Sequence, residues 1–204
     1  MGISMAVMAA HVALTPIPGY TRHQIAFANV RTSLIAQSRH SLVEQALIHF
    51  RATHILWIDS DQVFPADVIH RLAAHRKMYV GANIVTRKIP MVPSALGLNL
   101  EKLWTRPESK GLEQVASIGT GVALLNTKVF AELEVPYFES YFHKDFGRYV
   151  GEDVDFCNKM RAKGIPVFVD HDLSKDIEHL GEFAYSFPTA WEQGDLPGAM
   201  KEAA

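Results

Sequence analysis

The stretch His54-Ile55-Leu56-Trp57-Ile58-Asp59-Ser60-Asp61-Gln62 runs four large apolar residues straight into two carboxylates. A short apolar run bounded by polar residues predicts a strand buried on both faces, as in a parallel α/β sheet. Such sheets bind ligands beyond the carboxyl ends of their strands, where Asp59 and Asp61 fall. If the chain stays extended there, residues two apart point the same way and both carboxylates address one ligand. Two hard oxygen donors suit Mg²⁺ or Mn²⁺ and, through the metal, a diphosphate. The competing reading is a turn, or capping of the next helix. Two further Asp-x-Asp triplets occur, Asp153/Asp155 and Asp170/Asp172. Only the first is read as following a buried strand and preceding a helix start, at Pro65.

The composition bounds the rest. A chain of 204 residues with 48% hydrophobic and 21% charged residues reads as one globular domain with a sizeable core. The formal net charge of −2 argues against a protein that coats nucleic acid non-specifically, though it leaves room for a local basic groove. One cysteine, Cys157, excludes an internal disulfide framework and a cysteine-rich zinc site, and fits a reducing cytoplasm. No apolar run reaches the length of a membrane span. The start lacks a basic n-region, so it reads as a first buried strand rather than a signal peptide.

Going outward from the central stretch, Met5 to Ala9 is that first strand, with Ala10 and His11 at its carboxyl end. Thr21 to Asn29 reads as helical and Thr32 to Ile35 as a short strand. Ser41-Leu42-Val43-Glu44 matches a capping box, followed by apolar residues at helical period. Arg39 then stands just ahead of a helix, where it either joins the helix amides in holding an anion or is exposed to solvent. Val68, Ile69, Leu72 and Ala73 form the buried stripe of the helix after Pro65. Met78 to Ala82 is the next strand, followed by the loop cations Arg87 and Lys88. Residues 90–114 are irregular. Ala116 to Asn126 reads as a strand carrying Gly119 and Gly121, glycines that permit a bulge or close approach of a ligand. An aromatic-rich loop follows, Tyr137 to Tyr149, half of it core and half open to stack on a sugar or base. Gly151-Glu152-Asp153 opens a helix that Gly164 ends, and acids in a first turn suit the helix dipole by themselves. Ile165 to Val169 is a late strand. The tail from Ser186 is expected to wrap the surface, leaving one domain over residues 1–185.

Several pieces form an ordered set. They are Ser38-Arg39, the stretch at 54–61, Ile118-Gly119-Thr120-Gly121, Gly151-Glu152-Asp153-x-x-Phe156-Cys157, and His179-x-Gly181. In this order the chain resembles the GT-A glycosyltransferases, especially the small single-domain type common in bacteriophages and prophages. The resemblance implies a Rossmann-like α/β domain with a mixed, mostly parallel sheet flanked by helices. It implies transfer of a sugar, hexosyl or pentosyl, from a nucleoside-diphosphate sugar such as a UDP-sugar to an acceptor hydroxyl. It assigns Asp59 to the nucleotide ribose, and Asp61 with His179 to Mn²⁺ or Mg²⁺. Glu152 and Asp153 fall near sugar and acceptor, with Asp153 the general base if transfer inverts. Ser60, Arg39, Ala10, His11, Gly119, Thr120 and Gly121 complete the nucleotide-sugar site. Phage relatives imply a host-cytoplasmic enzyme whose acceptor is a hydroxymethylated base in DNA or a surface glycan. The chain departs from the family where His40 follows Arg39 in place of Asn, and where the first strand exits through Ala-Ala-His rather than Pro-Thr.

The chemistry agrees with these assignments. A leaving diphosphate must be neutralised, which a bound metal does as a Lewis acid, and an imidazole ligand favours Mn²⁺ over Mg²⁺. A carboxylate within about 3 Å of a hydroxyl can take its proton. Arg71, Arg76, Lys77, Arg87 and Lys88 offer a local patch for a phosphate backbone. Two other functions compete: a nucleotidyltransferase on a related sheet, and a catalytically silent nucleotide-sugar-binding module. The first would need a basic glycine-rich loop after strand one, and Met5 to Gly19 shows none.

Overall fold

The computed structural model describes residues 26–30, 33–145, 147–181 and 184–192. The expected strand Met5 to Ala9, with Ala10 and His11, lies outside them. Five strands form the main sheet: β1 (His54–Ile58), β3 (Tyr79–Gly81), β4 (Leu112–Val115), β5 (Val122–Asn126) and β8 (Val167–Asp170), in the order β1-β5-β3-β8-β4. A smaller sheet pairs β10 (Ala184–Ser186), β9 (Glu178–Leu180) and β2 (Gln62–Val63), and a hairpin pairs β6 (Tyr141–His143) with β7 (Arg148–Val150). The helices are α1 (Ile35–Glu44), α2 (Val68–Ala74), α3 (Glu152–Ala162), α4 (His171–Ser174) and α5 (Phe187–Glu192).

The strands alternate their side chains between two cores, as a period of two requires. Tyr79, Ala123, Leu125, Val167 and Val169 join Val43 of α1 and Phe156 and Met160 of α3 on one face. Val80, Val122, Leu124 and the partly buried Phe168 join Val68 and Leu72 of α2, with Leu173 and Ile177, on the other. Both faces of the sheet are therefore covered, and the class is α/β as expected. Its strand directions differ from the expectation. Among the described strands only β3–β8 is parallel, while β1–β5, β5–β3 and β4–β8 are antiparallel. The reason is that an unbroken apolar run reports burial on two faces and not direction. Val122 to Leu125 is fully buried although β5 is antiparallel to both neighbours.

Four local readings are corrected. Of the expected strand Thr32 to Ile35, Thr32 lies outside the described residues, Ser33 and Leu34 belong to no strand, and α1 begins at Ile35. That helix is already running at Ser41, so the capping-box pattern sits inside it and caps nothing. A polar side chain with a following glutamate marks a start only where the backbone leaves helical dihedrals, which it does at Leu34. Of the expected helix Thr21 to Asn29, residues 26–29 form no helix and 21–25 lie outside the described residues. Finally, 186–192 are not loose surface. Phe187 and Ala190 are buried with Val85 and Met91, and the Trp191 indole donates to the Thr105 carbonyl at 2.9 Å.

α3 behaves as its sequence says. Gly164 takes φ +71°, and the Ile165 amide returns to the Met160 carbonyl at 3.0 Å, closing the helix end.

Candidate active site

The site begins where β1 ends. The Asp59 amide donates to the Gly121 carbonyl at 2.8 Å, and the Gln62 amide folds back to the Asp59 carbonyl at 3.2 Å. The Asp-Ser-Asp stretch is thus a turn, not a continuation of the strand, and its two carboxylates meet different partners. Beyond it, β2 pairs with β9 so that Gln62 faces His179, and the Leu180 amide donates to the Asp61 carbonyl at 2.8 Å. This short pairing brings together Asp61 and His179, 118 positions apart in sequence.

Asp61 and His179 form the open corner. His179 Nε2 lies 3.3 Å from Asp61 Oδ2, and Nδ1 lies 2.9 Å from the Val85 carbonyl. A carbonyl can only accept, so Nδ1 carries the proton. In the neutral ring Nε2 is then a lone pair facing a carboxylate. A proton or a cation between them would turn that contact into an attraction. The pair fits a divalent metal in donor chemistry, one carboxylate and one imidazole whose other nitrogen is tied to a carbonyl. No cluster of three or more His, Cys, Asp or Glu converges among the described residues. A metal here would take its remaining ligands from substrate and water. Arg87 Nη1 also reaches Asp61 Oδ2, at 3.2 Å.

Arg39 organises the closed corner. It lies in the middle of α1, buried, with its guanidinium 5.5 Å from the Trp57 ring centroid. One nitrogen is 3.2 Å from Asp59 Oδ1, and Nε is 3.2 Å from Glu152 Oε1. Burial alone would lower its pKa, but the charges of Asp59 and Glu152 outweigh that and hold it above the ordinary arginine value. The expectation that Arg39 stands ahead of a helix and binds an anion with the helix amides fails, because α1 begins four residues earlier. Its partners are the carboxylates of β1's end and α3's start.

Asp153 sits beside this network without an arginine of its own. Burial raises its carboxyl above the usual aspartate range, and the charge of Glu152 pushes the same way. The Val154 amide, 2.7 Å from Oδ1, and the Arg39 charge oppose the shift. The sequence reading expected the helix start to keep this group acidic; desolvation wins instead.

Between the two corners runs Ile118 to Gly121, fully buried. The expected strand from Ala116 to Asn126 is interrupted here, with β4 ending at Val115 and β5 starting at Val122. A Cβ at Gly119 would stand 3.3 Å from the Ser94 side chain and 3.7 Å from Asp153 Oδ2. One at Gly121 would stand 2.8 Å from Ile84 Cδ1 and 3.5 Å from Asp59 Oδ2. The glycines keep side chains out of the floor between the carboxylates. Thr120 Oγ1 and Gln62 Oε1 are buried there with no hydrogen-bond partner among the described residues. Ser60 is exposed at the turn.

The sequence reading passed over Gln62, Ser94 and Lys102. The Lys102 ammonium donates to the Pro93 carbonyl at 2.9 Å and feels the Asp153 charge. Nothing local marks these residues, since they reach the site through loop packing. Apart from Asp153, the aspartates of the other two triplets are structural. Asp155 binds Lys159 and the Glu139 amide, while Asp170 caps α4 and binds His75; the Asp172 side chain accepts from the Gly111 amide. Burial pushes the Cys157 thiol up to about 12, so it is no nucleophile. In the aromatic loop Phe138 is core, whereas Tyr141, Phe142 and Tyr149 are exposed. The supposed basic patch is partly consumed: Arg71 pairs with Asp176, Arg87 with Asp61, and Lys77 lies over the Phe168 ring.

No family model matches this sequence, and a search of curated proteins finds no match. Solved structures do match. One is A197 from STIV, with a TM-score of 0.59 at 16% identity, covering 82% of this chain and 80% of that one. A likeness at that identity speaks for a shared α/β fold over most of both chains.

Proposed function

We propose that this chain is a glycosyltransferase that moves a sugar from a nucleoside-diphosphate sugar to an acceptor hydroxyl, with Mn²⁺ or Mg²⁺ held by Asp61 and His179. The observation that carries the reading is the Asp61–His179 pair, 3.3 Å apart, built by β2–β9 and fixed in tautomer by the Val85 carbonyl. When bound, the metal neutralises the leaving diphosphate as a Lewis acid. Asp59 stays on the nucleotide side, oriented by Arg39. Thr120 and Gln62 offer buried, unsatisfied oxygens to the donor's hydroxyls and amides. Glu152 is held by Arg39, which leaves Asp153 as the carboxylate able to accept the acceptor's proton if the anomeric centre inverts. Its raised pKa makes it a stronger base than an ordinary aspartate. If configuration is retained, Asp153 orients sugar or acceptor.

The test is a screen of nucleotide sugars with Mn²⁺, reading donor hydrolysis and thermal stabilisation. At least one is expected to stabilise the protein only when metal is present, and Asp61→Ala or His179→Ala should abolish that dependence while the fold persists. Full metal-dependent stabilisation in either variant would remove the assignment.

A further inference from the structure

Arg87 and Arg39 are both paired with carboxylates of one turn, yet only Arg87 is free to leave. It is half exposed, and its Nη1 lies 3.2 Å from Asp61 Oδ2 and 3.3 Å from the Leu180 carbonyl. The Asp61 oxygen it touches is the one that faces His179 Nε2. A divalent cation at that oxygen and a guanidinium on it repel one another, so the two occupancies exclude each other. A solvent-exposed ion pair is weak, so its exchange costs little.

The surroundings support a moving side chain. Arg87 sits in a tight bend, where the Thr86 amide donates to Val92 at 2.8 Å and the Lys88 amide to Thr86 at 2.9 Å. Its stem runs over Gly181, where a Cβ would stand 3.3 Å from Arg87 Cδ and 2.6 Å from Tyr185 Cε2. The glycine two residues after His179 therefore keeps a lane open for the arginine. A guanidinium matches phosphate oxygens with paired donors, and it stays charged at any relevant pH.

We propose that Arg87 is a place-holding cation that balances Asp61 before the donor arrives, then transfers to the donor's diphosphate when a metal takes its place. The ligand class of Arg87 is thus a nucleoside diphosphate, and the inference rests on reading Asp61 and His179 as the metal pair.

Two titrations of the full chain test it, in wild type and Arg87→Gln. The first follows Mn²⁺ alone by calorimetry or by the Mn²⁺ resonance signal. The second follows UDP and GDP with Mn²⁺ present. The expected changes have opposite signs. Removing the competitor should tighten Mn²⁺ alone by about two- to fivefold, the scale of an exposed ion pair. Losing the charge-assisted bonds should weaken the better-bound diphosphate about tenfold or more, while UMP, lacking the second phosphate, changes little. Arg87→Lys should fall between. If the variant weakens both, or changes neither, the exchange is wrong although the metal pair stands, because the wild type still binds. If the wild type itself binds neither Mn²⁺ nor a nucleoside diphosphate, both the exchange and the functional reading fall.

Discussion

Two arginines compensate two carboxylates two residues apart, and they do it in opposite ways. Arg39 is buried within a helix and gripped by Asp59 and Glu152 at 3.2 Å each, while Arg87 leans on Asp61 from an exposed bend. In the closed corner Arg39 is 8% and Glu152 15% exposed, so their charge balance must be permanent, since a buried charge left alone is too costly, while Asp59 at 44% meets solvent. In the open corner solvent screens the pair, and proton, guanidinium and metal can exchange on one oxygen. The difference separates holding a site together from operating it. Asp153 stands between the corners, dry enough to be raised but lacking a dedicated cation.

The largest expected effect breaks the site where it operates. Asp153→Asn keeps the shape and removes the base. If transfer inverts, it should fall about 10²-fold or more, while donor and metal binding stay near wild type. Near-normal turnover, measured where chemistry limits the rate, would reduce Asp153 to an acid in a helix's first turn.

A smaller effect tests the closed corner. Arg39→Met leaves Glu152 mostly buried without its cation, and the loss of one partner of such a pair costs about 3 kcal/mol. The measurement is the urea midpoint. Adding Glu152→Gln should restore a good part of it, because the stranded charge is gone. A variant as stable as wild type would mean that Arg39 is no more structural than Arg87.

The smallest effect sharpens the position of Asp153. Its folded pKa is raised, so between the unfolded and folded values the native chain binds more protons than the unfolded one. Stability from this group is then greatest below the unfolded value, about 3.9, and is lost as pH rises through the folded one. Asp153→Asn should therefore be more stable than wild type at neutral pH, with the gap shrinking on acidification. A gap of the opposite sign would mean that Asp153 is stabilised by partners rather than strained by burial.

Much of this was legible along the chain. The run Ile55 to Ile58 announces a strand, though at the edge of the described sheet only its Trp57 is buried; Val68 and Leu72 announce a helix stripe, Gly164 a helix end, and Asp153 an acid at a helix start. What misled was where one local signal fits two arrangements. Ser41 and Glu44 look like a cap but lie inside α1, and Asp59 and Asp61 suggest one extended ladder but flank a turn. The apolar runs told of burial and were silent on direction, so a mixed sheet was expected to be mostly parallel.

The sequence by itself determined the α/β layering, the carboxylates at the end of β1, and the glycines that leave room beside them. Those follow from period, side-chain volume and backbone freedom, all local quantities. Tertiary structure alone decided that His179 meets Asp61 and that Arg39 is locked while Arg87 is not. It also decided that Asp153 is raised rather than lowered. Each depends on which distant segment lands within 3–4 Å and whether water comes with it. No residue type encodes desolvation and long-range pairing, because both belong to the assembled neighbourhood.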